Sequence, residues 1–246
     1  MVAAAGVIDE EVRRFGALGE EWWNPAGPMA ALHRINPIRI AWMRETILAH
    51  LARAGGPGEP PLAGLTLLDV GCGAGLLAEP LSRLGADVVG LDPAEESIAV
   101  ARAHAETTGA RLAYRVGVAE DLVAEGARFD VVSAMEVVEH VADMPAFVAA
   151  ASALVAPGGL FIGSTLNRTL KSFALAILGA EYVLGWVPKG THRWEQFVTP
   201  IEFAAALTRA GFRESARRGM VWDLARGDWR LSRDDSVNYF IAARRV

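Results

Sequence analysis

The sequence predicts an α/β fold, a mostly parallel seven-stranded sheet with helices on both faces. Three observations carry that expectation. The period of the apolar residues switches repeatedly between about 2 and about 3.6 along the chain. An apolar run that ends in an acid enters a loop with glycine at every second position, GLTLLDVGCGAGLLAEP at residues 64–80. The 246 residues, 52% of them hydrophobic, have no Pro/Gly/Ser-rich linker near the middle, so they read as one domain, 1–246.

The elements follow in order. Residues 1–60 stand outside the alternation and are expected to form a helical cap. TLLDV is the first strand, LLAEPLSRLGA a helix, ADVVGLD a buried strand, AEESIAVARAHAETTGA a helix and RLAYRVG a strand. RFDVVSAM is the next strand, MPAFVAAASALVAPGG a helix closed by glycine, and LFIGSTL a strand. An apolar insertion, 167–198, interrupts the rhythm; TPIEFAAALTRAGF then gives a last helix, and strands around 215–222 and 236–244 complete the seven. Ligands of such a sheet bind beyond the carboxyl ends of its strands.

Composition excludes several functions. With 22% charged residues and a net charge of −5, the chain has no positive field to hold nucleic acid. Its one cysteine, Cys72, rules out an internal disulfide and any multi-cysteine metal site. That residue reads as a small side chain in a crowded turn, since no activating base is evident beside it. The start, MVAAAGVIDEEV, is too short and acidic for a secretory or transit signal, so the expected location is cytoplasmic.

The glycine loop is the first chemical signal. Gly71, Gly73 and Gly75 allow close approach of a ligand to the backbone. The dinucleotide spacing G-x-G-x-x-G fails, because Leu76 occupies its third position and Asp69 stands two residues before Gly71, where it would repel a phosphate. A cation is favoured instead, and S-adenosylmethionine carries a sulfonium and an ammonium. Asp92, twenty-one residues after Gly71, closes the second strand where its carboxylate can accept both ribose hydroxyls.

LLDVGCGAG followed by VVGLD resembles the first two motifs of class I S-adenosylmethionine-dependent methyltransferases with their Rossmann-like fold. EEWWNPAGPMAALHRINPIRIAWM, FDVVSAMEVVEHV, STLNRTLKSFALAILGAEYVLGWVPKGTH and DDSVNYFIAARR narrow this, over nearly the whole chain, to a resemblance to the ubiquinone-biosynthesis O-methyltransferases. The resemblance implies methylation of a ring hydroxyl on a polyprenylated catechol (2-polyprenyl-6-hydroxyphenol and 3-demethylubiquinol). It implies cofactor contacts at Arg39, Gly71, Asp92 and Met135, with Arg39 on the methionyl carboxylate, and it admits association with other quinone-biosynthesis enzymes. Glu120 and Asp121 follow the third strand, where such folds often bond adenine; they serve equally as charges at a helix start.

MEVVEH is the expected chemical centre. Turned helically, it puts Glu136, Glu139 and His140 on one face, two carboxylates and an imidazole able to hold Mg²⁺. A catechol ionises near the phenol value of about 10, so its proton must be taken or its phenolate stabilised. Mg²⁺ on those three residues is the answer the resemblance favours; the other is His140 as general base, oriented by Glu136 or Glu139. His33, His50, His104 and His192 have no comparable company. Within the insertion, residues 173–187 carry one charge, Glu181, and are too few to cross a bilayer. Flanked by Lys171, Lys189 and Arg193, the stretch 171–193 suits either a foot on the inner face of the membrane or a lid. Two alternatives stay open: a methyltransferase for another hydroxylated or amine substrate, and a non-catalytic S-adenosylmethionine-binding assembly subunit.

Overall fold

A computed structural model describes residues 7–51, 58–175, 193–223 and 226–246. The strands β1 (Thr66–Val70), β2 (Asp87–Asp92), β3 (Ala113–Val116), β4 (Phe129–Met135), β5 (Val155–Leu166), β6 (Phe212–Asp223), β7 (Asp228–Ser232) and β8 (Asn238–Arg245) form one sheet in the order β3-β2-β1-β4-β5-β8-β6-β7. β1 to β5 run parallel, while β8 is antiparallel to both β5 and β6. The chain steps outward from β1 through β2 to β3 and then returns to β4 on the other side. The carboxyl ends of β1 and β4 therefore flank a crevice.

Alternation along the strands divides the core. Leu67, Val131, Leu160, Ile162 and Phe240 point to the face covered by α2 (Ala30–Leu51), α3 (Ala78–Arg83) and α4 (Glu95–Thr108). Leu68, Val132, Phe161, Tyr239 and Ile241 point to the face covered by α5 (Ala119–Ala124), α6 (Met144–Ala153) and α8 (Pro200–Arg209). Both faces are apolar because a parallel sheet is covered on both sides. α8 starts where its sequence says it should: Thr199 N–H donates to Glu202 Oε2 at 2.8 Å, Glu202 N–H donates to Thr199 Oγ1, and Pro200 takes the first helical position.

The predicted helical cap is present as α1 (Asp9–Gly16), a 3₁₀ turn (Gly19–Trp23) and α2. Three expectations need correction. The sheet has eight strands: β7 escapes sequence reading because only Trp229 and Leu231 alternate with its polar residues. The helix over MPAFVAAASALVAPGG stops at Ala153, and its glycines instead lie in an irregular stretch of β5, where pairing with β4 jumps from Phe129↔Val155 to Val131↔Leu160. MEVVEH forms only a 3₁₀ turn (Val138–His140). Of the insertion, 176–192 lies outside the described residues; before it comes α7 (Leu170–Ser172), capped by Thr169, and after it a 3₁₀ turn (Trp194–Gln196). Among the described residues, no helix is long and apolar enough to cross a membrane.

Candidate active site

The glycine loop leaves β1 as expected. Gly71 and Cys72 both donate their N–H groups to Leu91 O, tying the loop to β2. Gly71 (φ 71°) has no room for a Cβ, which would lie 2.6 Å from Val137 Cγ2, and one at Gly73 (φ 52°) would lie 2.6 Å from Trp22 Cη2. The bulky group against Gly73 is therefore a tryptophan of the cap. Asp92 Oδ2 accepts from Gly73 N–H and its Oδ1 from Ala94 N–H, both at 2.9 Å, which aims the carboxylate across the loop. Burial raises its pKa against these two hydrogen bonds.

Asp69 closes the same corner from β1. It is 2% exposed, and burial pushes its carboxyl up to about 7, although Ser133 Oγ donates to Oδ1 at 2.7 Å and Arg39 lies near. Such a group gains from a cationic ligand. Cys72 is buried, and its thiol is pushed well up by burial and then by Asp92 and Asp69, so the residue is a filler and no nucleophile.

Arg39 enters from α2 one turn after Asn36, whose amide donates to Leu76 O at 2.8 Å and fixes the helix against the loop. It is 4% exposed. Its Nη2 stands 2.8 Å from Glu136 Oε1 as an ion pair, but off the hydrogen-bond direction, and Nε likewise has no hydrogen-bond partner. A buried guanidinium with donors to spare is a seat for a carboxylate. Met135, the last residue of β4, is buried at the cavity wall.

Glu136 is the one non-glycine among the described residues with positive φ, 57°. Ser164 and Arg39 hold it there: its N–H donates to Ser164 O at 3.0 Å and to Ser164 Oγ at 3.2 Å, Ser164 Oγ donates to Glu136 Oε1 at 2.6 Å, and Arg39 pairs with the same oxygen. The left-handed turn breaks the helical face that the sequence suggested. Glu139 is buried beside Glu136 and Thr165, and burial, with Glu136 adding to it, holds its carboxyl well above the ordinary range. Neither Glu139 Oε2 nor Thr165 Oγ1 is aligned in a hydrogen bond.

His140 turns the other way. Its Nδ1 stands 3.1 Å from Glu11 Oε2 on α1, which Arg14 Nη2 approaches at 2.6 Å, and its ring meets Phe15 edge-on at 5.3 Å. These are ion-pair contacts rather than aligned hydrogen bonds. Burial raises the Glu11 carboxyl, but contact with His140 and the charges of His140, Arg14 and Arg193 outweigh it, leaving a net depression. The residue that orients His140 is thus Glu11, and not Glu136 or Glu139. Among the described residues no group of three His, Cys, Asp or Glu side chains is placed to hold a metal ion, so the expected Glu136, Glu139 and His140 set does not fit Mg²⁺ as arranged.

The cap supplies what sequence reading missed. Trp23 Nε1 donates to Ala74 O at 3.1 Å, and the Trp23 ring stacks on His104 at 3.4 Å and 7°. His104 Nδ1 in turn lies 2.7 Å from Glu79 Oε1, a fully buried carboxylate. His33 reaches Trp22 O at 2.9 Å. Both histidines have company after all: His33 joins α2 to the 3₁₀ turn within the cap, and His104 joins the cap to α3 and α4, while Trp23 itself reaches the glycine loop; the tryptophan pair in EEWWNP was the signal. Asp121 accepts from Val118 N–H at 3.0 Å and so caps α5, whereas Glu120 faces the cavity.

One cavity of about 1060 Å³ runs from Asp69, Gly71, Gly73 and Asp92, past Arg39, Met135, Glu136, Glu139 and His140, to the β6–β7 hairpin. A methyltransferase domain family matches residues 40–214. The ubiquinone biosynthesis O-methyltransferase of Azorhizobium caulinodans is 53% identical over 244 residues, covering 99% of this chain and 96% of that one. The protein of the same name from Methylobacterium nodulans is 56% identical over 237 residues, covering 96% and 94%.

The chain belongs to the ubiquinone biosynthesis O-methyltransferase family.

The fold agrees with that of other methyltransferases. Magnesium protoporphyrin IX methyltransferase from Synechocystis, solved with bound SAH, aligns with a TM-score of 0.63 at 20% identity, covering 97% of this chain and 94% of that one. A methyltransferase from Aquifex aeolicus gives 0.60 at 16%, covering 96% and 98%. The residues at which the family resemblance puts cofactor contacts, Arg39, Gly71, Asp92 and Met135, all line the cavity.

Proposed function

We propose that the chain transfers a methyl group from S-adenosylmethionine to a ring hydroxyl of a polyprenylated catechol in ubiquinone biosynthesis. The observation that carries this reading is one cavity in which buried Asp69, partly buried Asp92 and an arginine with spare donors stand around a glycine loop, with a histidine further along the wall. Bound there, S-adenosylmethionine supplies a methyl group on an electrophilic sulfonium. Asp92 accepts the ribose hydroxyls, Asp69 faces the ammonium, Arg39 takes the methionyl carboxylate, and Met135 packs on the apolar edge. The carboxylate of Glu11 favours the proton on His140 Nδ1, which leaves Nε2 as the acceptor. As the acceptor oxygen forms its bond to the methyl carbon, its proton goes to Nε2 and the carbon–sulfur electron pair stays on sulfur.

A second reading, in which Mg²⁺ chelates both vicinal oxygens and stabilises the phenolate, has one observation in its favour: the unaligned Glu139 Oε2, buried next to Glu136. Glu136, Glu139 and His140 would hold the ion only after Glu136 leaves Arg39 and His140 leaves Glu11. Turnover of a short-tailed catechol with and without EDTA separates the two. Activity that survives EDTA supports His140 as the base; loss restored by Mg²⁺ supports the ion; no methylation at all overturns the function.

The exposed Leu170, at the start of the insertion, and Leu175 at 53% exposed suit contact with a lipid surface. The location proposed is cytoplasmic and peripheral on the membrane; failure to sediment with anionic vesicles would refute the peripheral part. Association with other quinone-biosynthesis enzymes is a further proposal, checked by co-purification.

A further inference from the structure

We infer that the β6–β7 hairpin is the tail subsite of the acceptor, with Trp222 and Trp229 as the residues that set its preference for an isoprenoid chain. The inference rests on the proposed function and locates, within the same cavity, the part of the substrate that takes no part in the chemistry.

The cavity has two chemically distinct ends. Around the glycine loop and the end of β4 its wall carries charge; toward the hairpin Ile35 on α2, Met220, Val221, Trp222 and Trp229 line it, beside Arg230, which pairs with Asp223, and Ser232. Trp222 and Trp229 are direct cross-strand partners, with ring centroids 5.5 Å apart and planes at 79°. A cross-strand aromatic pair also stabilises a hairpin by itself. Three features give this pair a ligand as well. Both residues line the cavity; β7 packs against α2, the helix that presents Arg39, so the hairpin is anchored to the reacting end; and Leu175, 53% exposed, lines the same cavity. Beyond them the lining turns polar again, where Lys171 Nζ meets Asp234 Oδ2 at 2.6 Å. An occupant of this shape has a polar ring, an apolar chain beside it, and an exit toward a charged rim. A catechol with an isoprenoid tail matches that order, and a small tailless phenol leaves the aromatic wall uncovered.

The subsite also accounts for the eighth strand. The edge strand β7 places the cavity-lining Trp229 directly opposite Trp222 at the sheet's margin.

The test compares 4-methylcatechol with a catechol bearing a farnesyl chain, in lipid-free buffer, for the wild type, Trp229→Ala, which removes the wall, and Ser232→Trp, which fills the channel from β7. Both variants should lower kcat/KM for the farnesylated acceptor about tenfold, mainly through KM, about 1.4 kcal/mol. For 4-methylcatechol the change should stay within about twofold. S-adenosylhomocysteine affinity and Tm, measured alongside, identify a variant that is merely misfolded, and the other variant then decides. Equal losses on both acceptors overturn the tail assignment alone. A loss that appears only when vesicles are added makes a membrane acyl chain the occupant and also overturns it. A wild type that methylates neither acceptor overturns the proposed function, and the subsite with it.

Discussion

Replacing Asp69 with Asn should make the empty protein more stable and the cofactor-bound protein weaker, a trade that follows from where β1 delivers this carboxylate. Asp69 is 2% exposed, and its pKa rises from 3.8 to about 7, first through burial and partly through Asp92, against the lowering effects of Ser133 and Arg39. The folded state thus keeps a proton that the unfolded chain has lost between about pH 4 and pH 7. In that window stability falls as pH rises, and above pH 7 the full cost persists. A rise of this size corresponds to about 4 kcal/mol. Asn cannot ionise, and its Oδ1 can still accept from Ser133 Oγ, so the variant escapes the cost. Above pH 7 it should melt roughly 10 °C higher than the wild type, and below pH 4 the two should melt together. With ligand the order reverses. The ammonium of S-adenosylhomocysteine favours the ionised carboxylate, so wild-type affinity should improve as pH rises through about 7. The variant should show no such improvement and bind roughly 10- to 100-fold more weakly at pH 8, the worth of a charged hydrogen bond. Melting curves across pH, with calorimetric titration of S-adenosylhomocysteine at pH 5.5 and pH 8, check both halves. A variant that melts at or below the wild type at pH 8, or loses affinity equally at both pH values, would refute the account of Asp69.

Asp92→Ala should weaken S-adenosylhomocysteine binding by about 1.5 to 3 kcal/mol by removing the acceptor that Gly73 and Ala94 orient; unchanged affinity by calorimetry would remove it from the ribose site. Glu11→Gln should lower kcat about tenfold while leaving cofactor affinity in place, because it removes the charge 3.1 Å from His140 Nδ1 and touches nothing in the glycine loop; an unchanged kcat would leave His140 without an orienting partner. Gly73→Ala puts a methyl group 2.6 Å from Trp22 and forces a side chain on φ 52°. The cost should be about 1 to 3 kcal/mol in denaturant unfolding, and a neutral result would mean that the cap does not sit on the loop in solution.

The sequence by itself determined the α/β class, the glycine loop after β1, both acids and the helical nature of the cap. Each of these is a local signal: an alternation, a spacing or a run whose meaning does not depend on distant residues. LLDVGCGAG and VVGLD are of this kind: Asp92 accepts from Gly73 N–H in the loop, and Asp69, held by Ser133 on β4, lines the same cavity. The orientation of MEVVEH was not legible. Helical spacing groups Glu136 with Glu139 and His140, but Ser164 on β5 and Arg39 on α2 capture Glu136 and hold it at positive φ, while Glu11 captures His140. All three captors are far away in the chain, and no periodicity within the motif encodes them. The same reason hid β7, whose two apolar residues acquire meaning only when Trp229 comes opposite Trp222 and packs toward α2. It also hid His104, an unremarkable helix residue until Trp23 from the cap stacks on it over Glu79. Contacts that join the cap, the sheet edge and the loop after β4 depend on how those layers pack, and that packing, not local pattern, decided which carboxylate faces the histidine.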